Sequence, residues 1–374
     1  MSILGGMRMQ RKDRSSNFEL MRIFAMFLIV TYHYALFSNF RFFTTDLTFN
    51  RLFYQSMFLT GKTGVNLFVT LSGYFMIKSR VKTAKVLQLW GQSFFYIMLI
   101  WLLFHKKVNG FSSMPQDTLL GKIFFLSSGV QWFIATYIVM YLLSPYINVM
   151  LNNMSRTMFR RMLVLTGIFW CLIPTLSWIP GMVVTEFQGS DLTFFLFLYC
   201  LGAYLRMYHE ENRRKAYFWF LCAFGTYLVC MGIIAGVDVW DSHSMGKAKL
   251  LDYLFNYQNH VLILLLSLFL FLGFKALNVK NSRVINWISS LTFGIYLIHD
   301  NWQIRRYLWN NITNGPAFEM TPWLLPVSIG YIVAVFTVCG IIEAVRQQTV
   351  EKLWMKIAVP LSEKIDSVID KWLT

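Results

Sequence analysis

The sequence predicts an all-α fold, a polytopic membrane bundle of about ten transmembrane helices. Three observations predict it. Of the 374 residues, 56% are hydrophobic and only 14% charged, with a mean hydropathy of +0.49; a soluble core of this size has no use for that much apolar surface. Apolar segments of about twenty residues recur along the chain, and at 1.5 Å per residue each can cross a hydrocarbon core of about 30 Å. The segments do not alternate strictly between apolar and polar, so a barrel is excluded.

The elements follow in order. Residues 1–17, MSILGGMRMQRKDRSSN, are basic and polar and read as a cytoplasmic lead-in rather than a cleavable signal. The membrane domain is expected over 18–344, with helices at 18–38, 61–78, 86–105, 130–148, 161–179, 190–207, 217–236, 255–275, 285–304 and 323–344. Residues 345–374 mix charges with spaced apolar residues. They are expected to be cytoplasmic, either an amphipathic helix on the inner surface or a plain solvated one.

The net charge of +16 invites a nucleic-acid partner, but its distribution argues against one. With an even number of spans and both termini inside, 24 of the 34 Lys and Arg residues fall in inner segments, while Asp and Glu divide evenly. That is the positive-inside pattern of a multi-pass protein of the bacterial cytoplasmic membrane. The five cysteines lie in or beside apolar segments without metal-ligand spacing, so they read as buried free thiols and no metal is expected. With no Gly-rich phosphate loop and no soluble catalytic domain in the sequence, any chemistry belongs to the bundle or its mouths.

Ionisable residues inside a bilayer are costly and each needs an account. The stretch MRIFAMFLIVTYHY carries Arg22 and His33, eleven residues apart. On a helix that is about 16.5 Å and three turns, nearly one face. Arg22 falls near the inner end, where a guanidinium suits a phosphate-bearing molecule. His33 falls in the outer part, where a neutral imidazole can take a hydroxyl proton and return one to a leaving group. His299 falls at similar depth on the ninth helix, followed by Asp300, which can orient an imidazole. The plainer readings are a histidine bonded to a carbonyl, an arginine anchoring the helix end, and Lys62 as an interfacial anchor. Ser72-Gly73 can simply permit close helix packing, Arg305 can meet lipid headgroups, and Glu19 and Glu343 can be helix-end charges.

Four segments resemble the acyltransferase-3 family of bacterial integral-membrane O-acyltransferases. NFELMRIFAMFLIVTYHY is similar to that family's first helix, with its arginine and histidine separated by ten residues. GVNLFVTLSGYFM, with Asn66, Phe68, Ser72 and Gly73 in register, is similar to its next segment. VQWFIATYIVMYLLSP and FGIYLIHD resemble its aromatic and late segments, the latter placing His299.

The resemblance covers nearly the whole chain and implies transfer of an acyl group, commonly acetyl from acetyl-CoA, to a hydroxyl of a cell-envelope or exported glycan. Arg22, Lys78, Arg80 and Arg156 are then expected to bind the donor's phosphates. His33 and His299 are expected to be catalytic, His33 as general base or as acceptor of the acyl group. Lys62, Asn66, Ser72 and Tyr296 are candidate donors to the developing oxyanion, and Asp300 and Arg305 candidates for the acceptor side. Membrane lipids and an envelope-biosynthesis protein are the other partners in view, with two routes open: the bundle completes the transfer alone, or it hands the acyl group to that partner. Some family members carry an extracytoplasmic esterase-like domain; none is expected in this sequence. The competing reading is a transporter or export component for polysaccharides or small molecules.

Overall fold

The computed structural model describes residues 15–41, 47–104, 120–121, 131–176, 191–209, 214–244 and 258–373, so most of the expected lead-in lies outside the described residues. Among these residues every regular element is helical. The main helices are α1 (Ser16–Phe37), α2 (Phe49–Met76), α3 (Thr83–Phe104), α4 (Trp132–Asn152), α5 (Arg156–Leu176, with a π turn at Ile168–Leu172), α6 (Asp191–Tyr208), α7 (Ala216–Ser244), α8 (Val261–Ala276), α9 (Arg283–His299), α10 (Leu324–Gln348) and α11 (Val350–Leu373). Each of the ten expected segments falls on one of the first ten. Six of these, α1, α3, α4, α5, α7 and α10, are long and apolar enough to cross a membrane, against the ten spans expected.

The helices outside that group are informative. α8 has 16 residues, about 24 Å of rise and short of the hydrocarbon core. α2 has ample length but is polar, with Gln55, Thr63 and Asn66 fully buried. It lies inside the bundle against α1, α6 and α8, so packed protein rather than lipid meets its polar side chains. α2 also begins twelve residues before the expected helix. Thr48 caps it by accepting from the Arg51 amide at 3.2 Å. Its first turns hold Arg51 and Gln55, both bonded to Asp238 of α7, at 2.8 and 3.0 Å. Charges that read as loop in the sequence are here a buried pair.

Glycine sets how closely α2 meets its neighbours. A Cβ at Gly73 would stand 2.0 Å from the carbonyl oxygen of Tyr199, and one at Gly202 2.0 Å from that of Thr70. The α2 and α6 backbones therefore touch reciprocally. Small residues at the crossing are what permit this in a bundle where dispersion and polar contacts drive association.

Pro145, Pro174 and Pro360 lie within helices, and the carbonyls that the first two leave unmatched find donors. Pro145 cannot bond the carbonyl of Tyr141, which accepts from Ser144 Oγ at 2.7 Å. Pro174 cannot bond that of Trp170, which accepts from Asn259 Nδ2 at 2.8 Å.

Glu343, read from sequence as a helix-end charge, is fully buried. It binds Arg346 through both oxygens at 2.8 Å and accepts from Tyr96 Oη at 2.6 Å and Gln92 Nε2 at 3.1 Å on α3. Arg346 also pairs with Glu351 of α11. The clamp joins α3, α10 and α11. α11 then packs on α3 through Trp354, whose Nε1 donates to the Leu87 carbonyl at 3.1 Å, and exposes Leu353, Ile357 and Leu361 at four-residue spacing, an amphipathic pattern.

Two outcomes follow. Gly73→Ala is expected to cost about 1–3 kcal/mol through backbone overpacking, whereas Gly225→Ala, with nothing within 4 Å, leaves stability unchanged or slightly raised; thermal unfolding in detergent compares them. Glu343→Ala leaves the buried Arg346 with Glu351 alone and takes the acceptor from Tyr96 and Gln92; it is expected to cost about 3–5 kcal/mol, read in the same assay.

Candidate functional site

α1 carries the two ends of the site. It packs against α2 on one side and α9 on another. Ser282 caps the start of α9, its Oγ accepting from the Ile285 amide at 3.4 Å. A single cavity of about 870 Å³ runs along these helices, lined by Arg22 and His33 alike. Its arginine end is formed by Glu19, Arg22, Lys85, Gln88, Ser289, Gln347 and Glu351. Its histidine end is formed by Tyr32, His33, Lys62, Trp132, Asp191, Tyr296, Asp300 and Arg305. Phe68, Phe133 and Tyr137 line it as well.

At the histidine end, His33 Nδ1 and His299 Nε2 are 2.9 Å apart. His299 Nδ1 lies 2.6 Å from the carbonyl of Ile295. A carbonyl only accepts, so His299 carries its proton on Nδ1. In the neutral ring Nε2 is then a bare acceptor, and His33 must donate to it from Nδ1. The remaining nitrogen, His33 Nε2, holds a free lone pair 3.8 Å from Asp300 Oδ1. Exposure separates the rings: the His33 side chain keeps 12% of its surface and His299 is at 0%. His33 faces the cavity, and His299 stands behind it, bracing it from α9.

Charge surrounds this pair. Asp300, which caps α9, accepts from Arg305 at 3.2 Å. Arg305 lies over the Phe37 ring at 4.3 Å. Across the cavity, the Lys62 ammonium is 5.6 Å from the Tyr32 ring and 6.0 Å from that of Trp132, within cation–π reach. Tyr296 lines the cavity beside the pair, its ring centroid 6.5 Å from that of His33. Asn66 does not line the cavity; its amide donates to the Gln258 carbonyl at 3.0 Å and ties α2 to the segment before α8. Ser72 lines the wall, donating to the Phe68 carbonyl at 2.9 Å, with Tyr137 Oη 3.3 Å from its Oγ.

At the arginine end, Arg22 donates to Glu19 Oε1 at 2.6 Å, and Glu19 Oε2 accepts from Ser289 Oγ at 2.5 Å. Glu19 is thus the group that holds Arg22 in place, not a solvated helix-end charge. Arg22 keeps 32% of its side-chain surface, so part of the fork is open to the cavity mouth. Lys78, Arg80 and Arg156 are exposed and outside the cavity lining, and Arg156 instead lies over the Tyr208 ring at 5.6 Å. The basic residue beside Arg22 in the lining is Lys85.

Lys85, Gln88, Gln347 and Glu351 carry no sequence signal that joins them. They meet only because α3, α10 and α11 converge. Trp132 and Tyr137 stand in the aromatic segment already singled out, and their place in the wall was legible as far as that pattern went.

No curated protein and no solved structure matches the chain. A family described as an acyltransferase domain, acyltransferase-3, matches residues 15–343, from the start of α1 to Glu343 of α10, and so takes in both histidines and Arg22. That match favours acyl transfer over a transporter. The chain is a member of the acyltransferase-3 family of membrane proteins.

Proposed function

We propose that the protein transfers an acyl group, acetyl from acetyl-CoA in the simplest case, to a hydroxyl of a cell-envelope or exported glycan, with His33 as general base. The observation that carries this reading is the hydrogen-bond chain Ile295–His299–His33, which leaves the one basic nitrogen of the pair, His33 Nε2, facing a cavity shared with Arg22. In this reading the protein sits in the bacterial cytoplasmic membrane with both termini and the arginine end inside.

Arg22 and Lys85 bind the donor's phosphates at the inner mouth, and the thioester reaches along the cavity to His33. His33 Nε2 removes the proton from the acceptor hydroxyl as its oxygen attacks the thioester carbonyl carbon. The imidazolium so formed is stabilised by Asp300, 3.8 Å away. Lys62 supplies positive charge to the tetrahedral oxyanion, and Asn66 is spent on the Gln258 carbonyl. As the carbon–sulfur bond breaks, His33 returns its proton to the leaving thiolate, giving an ester and a free thiol. His299 touches neither reactant and acts as a positioning residue. Arg305 holds Asp300 in register.

His33→Ala is expected to lower kcat by about 10²–10⁴-fold, the usual contribution of a positioned base. The test uses folded protein in lipid nanodiscs with labelled acetyl-CoA and envelope glycan; wild-type turnover by this variant would overturn the assignment. His299→Gln keeps one donor and one acceptor, so it should retain more kcat than His299→Ala with the KM for both substrates unchanged. Arg22→Ala is expected to raise the KM for acetyl-CoA about tenfold or more, the worth of one charge-assisted contact, and to spare kcat at saturation. The acceptor class is checked by mass analysis of envelope glycans from cells with and without the protein.

A further inference from the structure

A second pocket opens at the histidine end of the bundle, outside the cavity just described. It has a volume of about 620 Å³ and is lined by Asn39, Arg41, Asn310, Asn314, Pro316, Ala317, Glu319 and Met320. His33 to Phe37 is four residues, roughly 6 Å of helical rise, and Asn39 follows two extended steps of about 3.3 Å later. Phe37 and Arg305 line the first cavity, while Asn39 and Asn310, a few residues beyond each, line the second. The two spaces are neighbours across that wall.

The pocket's frame is rigid. Asn310 Oδ1 accepts from the Asn39 amide at 2.8 Å, and its Nδ2 donates to the carbonyls of Phe37 and Arg306 at 2.8 and 2.9 Å. Both Glu319 oxygens accept from the Arg41 amide, at 2.9 and 3.1 Å. Asn50 Nδ2 bonds the carbonyls of Glu319 and Thr321 at 2.9 and 2.8 Å. Gly315 is pinned to α1: a Cβ there would stand 2.0 Å from Tyr34 Oη. Asn314, just before it, has φ 38°, the one non-glycine residue with positive φ among those described. A strained residue persists only where its surroundings over-determine it, and such residues concentrate at ligand sites.

The chemistry on this frame is mixed. Asn39 and Asn314 are exposed, and an amide both donates and accepts. Among the described lining residues one is basic and one acidic, Arg41 and Glu319, which balance in charge. Such a lining matches a ligand dense in hydroxyls and without net charge.

We propose that this pocket is an acceptor subsite for a neutral polyhydroxylated chain, holding the glycan beyond the sugar whose hydroxyl reacts at His33. The proposal rests on the acyl-transfer reading and names the part of the acceptor that the first cavity does not hold. Two contacts define it, the side-chain amides of Asn39 and Asn314.

The test uses the full chain in nanodiscs and, as probe, surface polysaccharide of the source organism stripped of esters by mild alkali. The double variant Asn39→Ala, Asn314→Gly removes both amides, and glycine keeps the left-handed backbone. Its KM for the polysaccharide should rise about tenfold, with kcat at saturation and the KM for acetyl-CoA unchanged. An unchanged acceptor KM overturns the subsite. Binding of the fluorescently labelled polysaccharide without donor separates the two readings. If the wild type binds it and the double variant does not, the subsite stands even where no transfer occurs, and the transfer reading alone fails. No binding by the wild type, or equal binding by both, overturns the subsite. Binding that persists in added salt is expected; loss in salt indicates an anionic acceptor and overturns the neutral class.

Discussion

The close approach of α2 to its neighbours is the constraint on which the other features depend. At Gly64 a Cβ would lie 2.6 Å from the carbonyl oxygen of Ala25, and at Gly73 2.0 Å from that of Tyr199. With α1 held this near α2, its other side is left to α9, and His33 meets His299. A bulkier residue at Gly64 would displace α1 by a distance that a 2.9 Å contact between two rings cannot absorb. The glycines act on the chemistry without touching it.

Several of the groups buried in this bundle are answered by specific partners. Glu343 has its oxygens matched by Arg346, Tyr96 and Gln92; the carbonyls freed by Pro145 and Pro174 are taken by Ser144 and Asn259. In a low-dielectric interior an unanswered group would cost several times what its bond contributes. Against that background the histidine end is distinctive. His33 Nε2 has only a carboxylate at 3.8 Å, beyond hydrogen-bonding distance, and it faces open space. A base left open to the cavity is what the proposed transfer requires.

The two ends of the cavity divide the work that an acyl transfer across a membrane protein would need. The arginine end is mixed in charge and open, with Glu19 and Ser289 fixing Arg22. The histidine end is aromatic and confined, so electrostatic terms there are less screened by water. α1, α2 and α9 line the cavity, and α2 and α9 also bury polar side chains within the bundle, so those two fall short of the apolarity a lone span would need.

Much of this was legible in the chain. Apolar segments at twenty-residue intervals require helices in a membrane, because only a helix of that length satisfies its own backbone there. Arg22 and His33, three turns apart on one helix, fall on one face by helical periodicity alone, and the family resemblance rested on that same local pattern. What the sequence could not supply is any contact between helices. Lys78, Arg80 and Arg156 were reasonable phosphate ligands by position, yet they lie outside the cavity, and Lys85 lines it instead. Asn66 was a plausible oxyanion donor and is spent on a carbonyl 192 positions away. Glu19 and Glu343 read as helix-end charges and are buried clamps. Sequence determined the helices, the membrane setting and the two residues of α1, since periodicity and hydropathy are local properties. Tertiary structure decided which nitrogen of which histidine is open, because that follows from a partner 266 positions along the chain and from the helix crossings that bring it within 2.9 Å.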